Sequence, residues 1–191
     1  MTELYLVRHG ETEENVQHIL QGHLPGTLTA RGIVQAETLR DELLSCGVRF
    51  DALVYSDLKR AVDTAEIVNA PLSLPFNPTK LLRERDWGTL TGAVVLPNHH
   101  VDIPSDAESV EDMFHRARIF LEWIEKEYAG QRVIAVGHGL FNRVLQAALK
   151  GLTIRDIPRM ENAEVRILQI NGHASFSPSK EANGPDCVSA N

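Results

Sequence analysis

The stretch "LYLVRHGETEEN", residues 4–15, opens with four apolar residues and stops abruptly on Arg8, His9 and Gly10. A continuous apolar run bounded in this way is the pattern of a strand covered on both faces, as in the parallel sheets of α/β domains. The run Val133–Val136 repeats the arrangement and stops on Gly137, His138 and Gly139. Further strand-like runs lie at Leu53–Tyr55 and Val165–Ile170.

Helical periods separate these runs. Thr29 can cap a helix running through Arg40 to Ser45, with Ile33, Ala36, Leu39, Leu43 and Leu44 on one face and Gly47 just beyond its end. Ser56 or Asp57 can cap a second, with Ala61, Ala65 and Val68 inward. Val110, Met113, Phe114, Ala117, Leu121 and Ile124 recur at three- and four-residue steps and mark a third. A fourth, Leu140 to Leu149, follows "VIAVGHG" directly. Strands alternating with helices predict an α/β three-layer sandwich, a largely parallel central sheet with helices on both faces. Residues 93–107, "AVVLPNHHVDIPSDA", have no clear period and read as a loop or lid. Residues 171–191, rich in Gly, Ser, Asn and Pro, read as a flexible tail after a single domain over 1–170.

The length of 191 residues is enough to bury a full core, and 43% apolar with 24% charged residues is ordinary for a globular protein. The amino end does not resemble a signal peptide, and no apolar stretch approaches the ~20 residues of a membrane span. Cys46 and Cys187 form no metal-ligand or redox spacing, which points to a reducing cytoplasm. A net charge of −7 argues against nucleic acid as a partner. An anionic ligand must therefore be held by a local cluster of cations. The sequence leaves the oligomeric state open.

In open α/β sheets, ligands bind beyond the carboxyl ends of the strands. Arg8 and His9 end one strand, His138 ends another, and Arg60 falls in the first turns of the helix after "LVYSD". Each alone is an ordinary structural residue. Together, on one rim and flanked by glycines and helix amino termini, they describe a pocket for a doubly charged oxyanion. Phosphate fits best, because guanidinium forks match its oxygens. No other phosphate-binding loop or serine-nucleophile motif is present.

At these residues the chain resembles the histidine phosphatase superfamily, which includes cofactor-dependent phosphoglycerate mutases and small phosphatases. "LVRHGET" is similar to the family signature. "LTARGIVQA", "YSDLKRAVDTA", "LLRERDWGTLTG" and "VIAVGHG" resemble four further segments in the same order. The resemblance implies that His9 is a nucleophile taking a phosphoryl group, that Arg8, Arg60 and His138 hold its oxygens, and that Glu84 is the general acid. It also implies phosphate contact by Asn15 and a substrate-lining loop at Gln21 and Gly22. Gly139, beside the second histidine, completes the expected phosphate site. Thr91 departs from the family, where many members carry Glu.

Chemistry is consistent with these roles. A neutral imidazole is nucleophilic near pH 7 if its other nitrogen is hydrogen-bonded, and the Gly10 carbonyl is a candidate acceptor. With arginines and a protonated His138 to neutralise charge, no metal or other cofactor is expected. The adjacent His99 and His100 read as polar surface rather than metal ligands. The expected activity is hydrolysis of a small phosphorylated metabolite through a phosphohistidine. The alternatives are a mutase, which keeps the phosphoryl group from water, and a silent phospho-ligand binding module. The resemblance implies the phosphatase: the span from Gly92 to His138 is shorter than in the family's mutases, and "PSDAES" at 104–109 is similar to a Pro-x-Gly-Glu-Ser segment common among its phosphatases, with Ala107 in place of glycine.

Overall fold

The computed structural model describes residues 1–96 and 101–171. Its elements are β1 (Thr2–Arg8), α1 (Glu13–Val16), α2 (Ala30–Ser45), β2 (Ala52–Ser56), α3 (Lys59–Asn69), β3 (Phe76–Thr79), α4 (Val110–Glu127), β4 (Arg132–Gly137), α5 (Gly139–Lys150) and β5 (Val165–Ile170). The five strands form one sheet in the order β3-β2-β4-β1-β5. All neighbours are parallel except β5, which runs antiparallel to β1.

Both faces of the sheet are covered, which is why β1 and β4 carry unbroken apolar runs. Leu4 and Leu6 face a core built with Phe120, Leu121, Phe141 and Leu145 of α4 and α5. Tyr5 and Val7 face the other side, with Leu39, Leu43, Ala61 and Ala65 of α2 and α3. The three-layer arrangement expected from the sequence is therefore present. Helix α4 buries Met113, Phe114, Ala117, Phe120, Leu121 and Ile124, and each large apolar side chain contributes roughly 1.5–3 kcal/mol.

Helix α2 starts as expected, with the Thr29 hydroxyl accepting the Gly32 N–H at 2.9 Å. Its buried stripe is Gly32, Ala36, Leu39 and Leu43, whereas Ile33 and Leu44 stand exposed. The expected face was one residue too wide on each side. Helix α3 departs more: its N-cap is Leu58, and no side chain caps it. Ser56 and Asp57 are used elsewhere, Ser56 on His138 and Asp57 in a two-bond ion pair with Arg83 at 2.6 Å each. Strand β3, "FNPT", was absent from the sequence reading. It is an edge strand, the one place where Pro78 does not interrupt a ladder on both sides.

Residues 101–107 are a loop, as expected, while residues 97–100, with His99 and His100, and residues 172–191 of the expected tail lie outside the described residues. No helix among the described residues is long and apolar enough to cross a membrane.

Candidate active site

Parallel pairing of β1 with β4 sets Arg8 opposite Gly137, so the two strands end side by side. The His9 N–H then donates to the Gly137 carbonyl at 3.0 Å, and the His9 and His138 rings lie 5.2 Å apart between centroids. Arg60, in the first turn of α3, points its Nε–H at His9 Nε2 across 3.3 Å. His9 Nδ1 lies 2.7 Å from the Gly10 carbonyl oxygen, which can only accept. Nδ1 therefore carries the proton, and the Nε2 lone pair faces Arg60.

These groups border a cavity of about 130 Å³ lined by Arg8, His9, Asn15, Gln21, Gly22, Arg60, Glu84 and Gly139, among others. Eight of the nine site residues expected from the sequence thus meet in one place. His138 is the exception: it is fully buried and absent from the lining, with Nε2 2.8 Å from Ser56 Oγ and Nδ1 unpartnered among the described residues.

Each lining residue has a physical anchor. Arg8 donates from Nη1 to the Met160 carbonyl at 2.5 Å, and its Nε has no partner among the described residues. A Cβ at Gly139 would sit 3.2 Å from that Nε, so the missing side chain leaves room for the guanidinium. Glu84 accepts the N–H groups of Arg85, Leu140 and Phe141 at 2.9, 3.1 and 3.1 Å. The amino end of α5 is therefore occupied by Glu84, not left for a ligand as the strand-end argument expected. The Asn15 amide closes a capping box with Thr12.

Arg60 also donates to the Gly22 and Leu24 carbonyls at 2.9 and 2.6 Å, so the loop after Gln21 aims the guanidinium. Gly26, at φ +69°, closes this loop, and a Cβ there would lie 2.4 Å from Gln21 Oε1 and 3.0 Å from Arg60 Cδ. Gly26→Ala should lower kcat/KM by roughly ten- to a hundredfold, since small displacements of positioning groups carry penalties of that size. Steady-state kinetics showing less than a twofold change would mean that the loop does not aim Arg60.

Burial pushes both histidines well below their usual 6.5. Arg60 and Arg8 add to the effect at His9, as do Arg60, His9, Arg116 and Arg8 at His138. The resting His138 is therefore neutral, not protonated as the sequence reading had it. Burial lowers Arg60 to about 10, still charged near neutrality. Because both imidazoles bind protons more readily unfolded, stability is complete above about pH 6.5 and declines as pH falls below it. The slope is about 1.4 kcal/mol per pH unit for each histidine. Urea midpoints at pH 7 and 5.5 check this, and equal values would mean that neither histidine stays neutral in the fold.

Three supporting residues were missed. Thr64 accepts the Gly10 N–H at 3.0 Å and donates to the Arg60 carbonyl at 2.8 Å. Asn162 donates to the His9 carbonyl at 3.0 Å and to Asn15 Oδ1 at 3.4 Å, turning the Asn15 amide. Arg143 donates to the Ile157 and Ile154 carbonyls at 2.9 and 2.7 Å, holding the segment whose Met160 carbonyl orients Arg8. Ser56 and Thr64 lie inside the recognised "YSDLKRAVDTA" segment. Asn162 gave no signal beyond its place before the last strand.

Residues 4–177 match the family model of the histidine phosphatase superfamily (branch 1). The chain belongs to that superfamily. This histidine phosphatase chain is 32% identical over 177 residues to the 2,3-bisphosphoglycerate-dependent phosphoglycerate mutase of Methylobacterium sp. (strain 4-46), covering 83% of this chain and 85% of that one. It is 31% identical over 168 residues to the adenosylcobalamin/alpha-ribazole phosphatase of Escherichia coli (strain K12), covering 78% and 79%. Among solved structures, the mycobacterial glucosyl-3-phosphoglycerate phosphatase complexed with VO3 superposes with a TM-score of 0.77 at 26% identity, covering 87% of this chain and 92% of that one.

Proposed function

We propose that this histidine phosphatase hydrolyses a small phosphomonoester through a phosphohistidine on His9, with Glu84 as general acid and then general base. His9 Nε2 attacks phosphorus as the ester P–O bond breaks, and Glu84 gives a proton to the leaving oxygen. The same carboxyl group then takes a proton from water, which attacks phosphorus and breaks the P–N bond. Arg8, Arg60 and Asn15 hold the equatorial oxygens, where charge gathers in a loose transition state. A bound dianion offsets the burial of His138 and draws a proton to it, which gives this residue its part in the reaction. The Gly22 and Leu24 carbonyls aim Arg60, Gln21 donates to Thr12 Oγ1, and Gly139 leaves room for Arg8.

The observation that carries hydrolysis over mutation is the charge of the cavity. Its lining holds four arginines, Arg8, Arg60, Arg143 and Arg159, against two glutamates, Glu84 and Glu161, a formal +2 with both glutamates ionised and +3 with the proton on Glu84. That balance suits one phosphoryl dianion. A mutase has to hold a phosphohistidine and a second phosphorylated anion together. The short span from Gly92 to His138 supports the same reading. The sparse, widely spaced cysteines support action in a reducing cytoplasm.

The test is phosphate release from a panel of aryl, sugar and glycerol phosphates, with and without a strong chelator. Free phosphate at a rate indifferent to the chelator is expected, since arginines supply the charge. Isomerisation of 3-phosphoglycerate with a bisphosphate primer and no phosphate release would make the protein a mutase. Binding of phosphate esters with no turnover at all would make it a silent binding module.

A further inference from the structure

We propose that His18 selects the leaving group, its imidazole being the contact that favours phosphate esters of hydroxylated alcohols over plain alkyl esters. The inference rests on the phosphatase reading.

His18 lines the cavity beside Asn15, Leu20 and Trp87. Its backbone sits at φ 56°, in the left-handed region that suits glycine and strains other residues. The segment cannot relax. The His18 N–H donates to the Asn15 carbonyl at 3.1 Å, and the His18 carbonyl accepts from the Val95 N–H at 2.8 Å. Ile19 bridges Val94, and the Leu20 N–H donates to the Ala93 carbonyl at 2.9 Å. A strained position held by its surroundings and occupied by a functional side chain is a mark of use. The second mark is on the ring: Nδ1 is shielded from solvent with no hydrogen-bond partner among the described residues.

The rest of the lining narrows what the ring can read. Arg8, Arg60 and Asn15 are taken by the phosphoryl group. Ile19, Leu20 and Leu140 are aliphatic, and Trp87 has the Arg85 guanidinium over its ring at 4.7 Å. Arg143 is committed through Nε and Nη2 to backbone carbonyls. Glu161, on the same lining, disfavours a second anionic group on the ester. The two ring nitrogens of an imidazole can each make a hydrogen bond, and a hydroxyl can donate or accept to match.

Glycerol 3-phosphate and n-propyl phosphate share a three-carbon chain and differ only in hydroxyls, so they isolate this contact. The wild-type protein should prefer glycerol 3-phosphate by about tenfold in kcat/KM, the size of one well-placed hydrogen bond. In His18→Gly the preference should collapse to near unity, mainly through KM, and His18→Asn should retain part of it. His18→Gly should also melt at or above the wild-type temperature, because glycine accepts the left-handed backbone. An unchanged preference, equal losses on both esters, or a lower melting temperature for His18→Gly would overturn the assignment. If the wild-type protein releases phosphate from no ester, the phosphatase reading fails separately. Calorimetric binding of the same two esters to wild type and His18→Gly then decides the role of His18 by the same ratio.

Discussion

His9→Ala should abolish phosphate release, by ~10⁴-fold or more, as expected when a covalent nucleophile is removed. No neighbour can substitute. His138 lies behind the His9 ring, outside the cavity lining, with Nε2 held near Ser56. The arginines keep their protons near neutrality. The fold should survive, because His9 gives β1 its end through its backbone N–H and carbonyl, and alanine supplies both. One consequence separates chemistry from damage: with one of two buried neutral imidazoles gone, the decline of stability below pH 6.5 should be about half as steep. Wild-type enzyme quenched during turnover of a labelled ester should carry acid-labile phosphate that His9→Ala lacks. Residual activity above one part in a hundred, or equal labelling of both proteins, would remove His9 from the nucleophile position.

Much of the site was legible because its residues sit where unambiguous patterns end. The runs at Leu4–Val7 and Val133–Val136 are continuous only because helices cover both sheet faces, so their last residues had to lie on one rim. What was not legible depends on contacts between segments distant in sequence. Ser56 reads locally as a helix cap, yet its hydroxyl is drawn to His138, 82 residues away. Asn162 reaches His9 across 153 residues. The protonation of His138 was misread because sequence shows a neighbouring phosphate motif but not the complete burial of the ring. Strand β3 escaped because a short, half-exposed edge with a proline needs no hydrophobic pattern of its own. His18 escaped for a related reason: its strained φ is imposed by residues 92–95, pairing that no local pattern announces.

Glu84→Gln should divide the two halves of the reaction. An alkyl leaving group needs a proton as it departs, so turnover of a glycerol or propyl ester should fall about 10²- to 10⁴-fold, the span of general acid–base catalysis. A nitrophenolate departs without one, so the first step on nitrophenyl phosphate should slow far less. The second step still needs a base for water, and a glutamine amide cannot serve. The variant should therefore release about one nitrophenolate per active site in a burst and then nearly stop, with phosphohistidine accumulated on His9. Structural damage would look different. Glu84 accepts N–H groups from Leu140 and Phe141, and glutamine keeps only one acceptor oxygen for them, a loss of about 0.5–2 kcal/mol at a helix cap. That loss would lower the melting temperature and slow both esters alike, without a burst. Stopped-flow traces on the aryl ester, set beside steady-state rates on the alkyl ester, decide between these patterns. Equal losses without a burst would confine Glu84 to capping α5, and the proton would have to come from another group bordering the cavity.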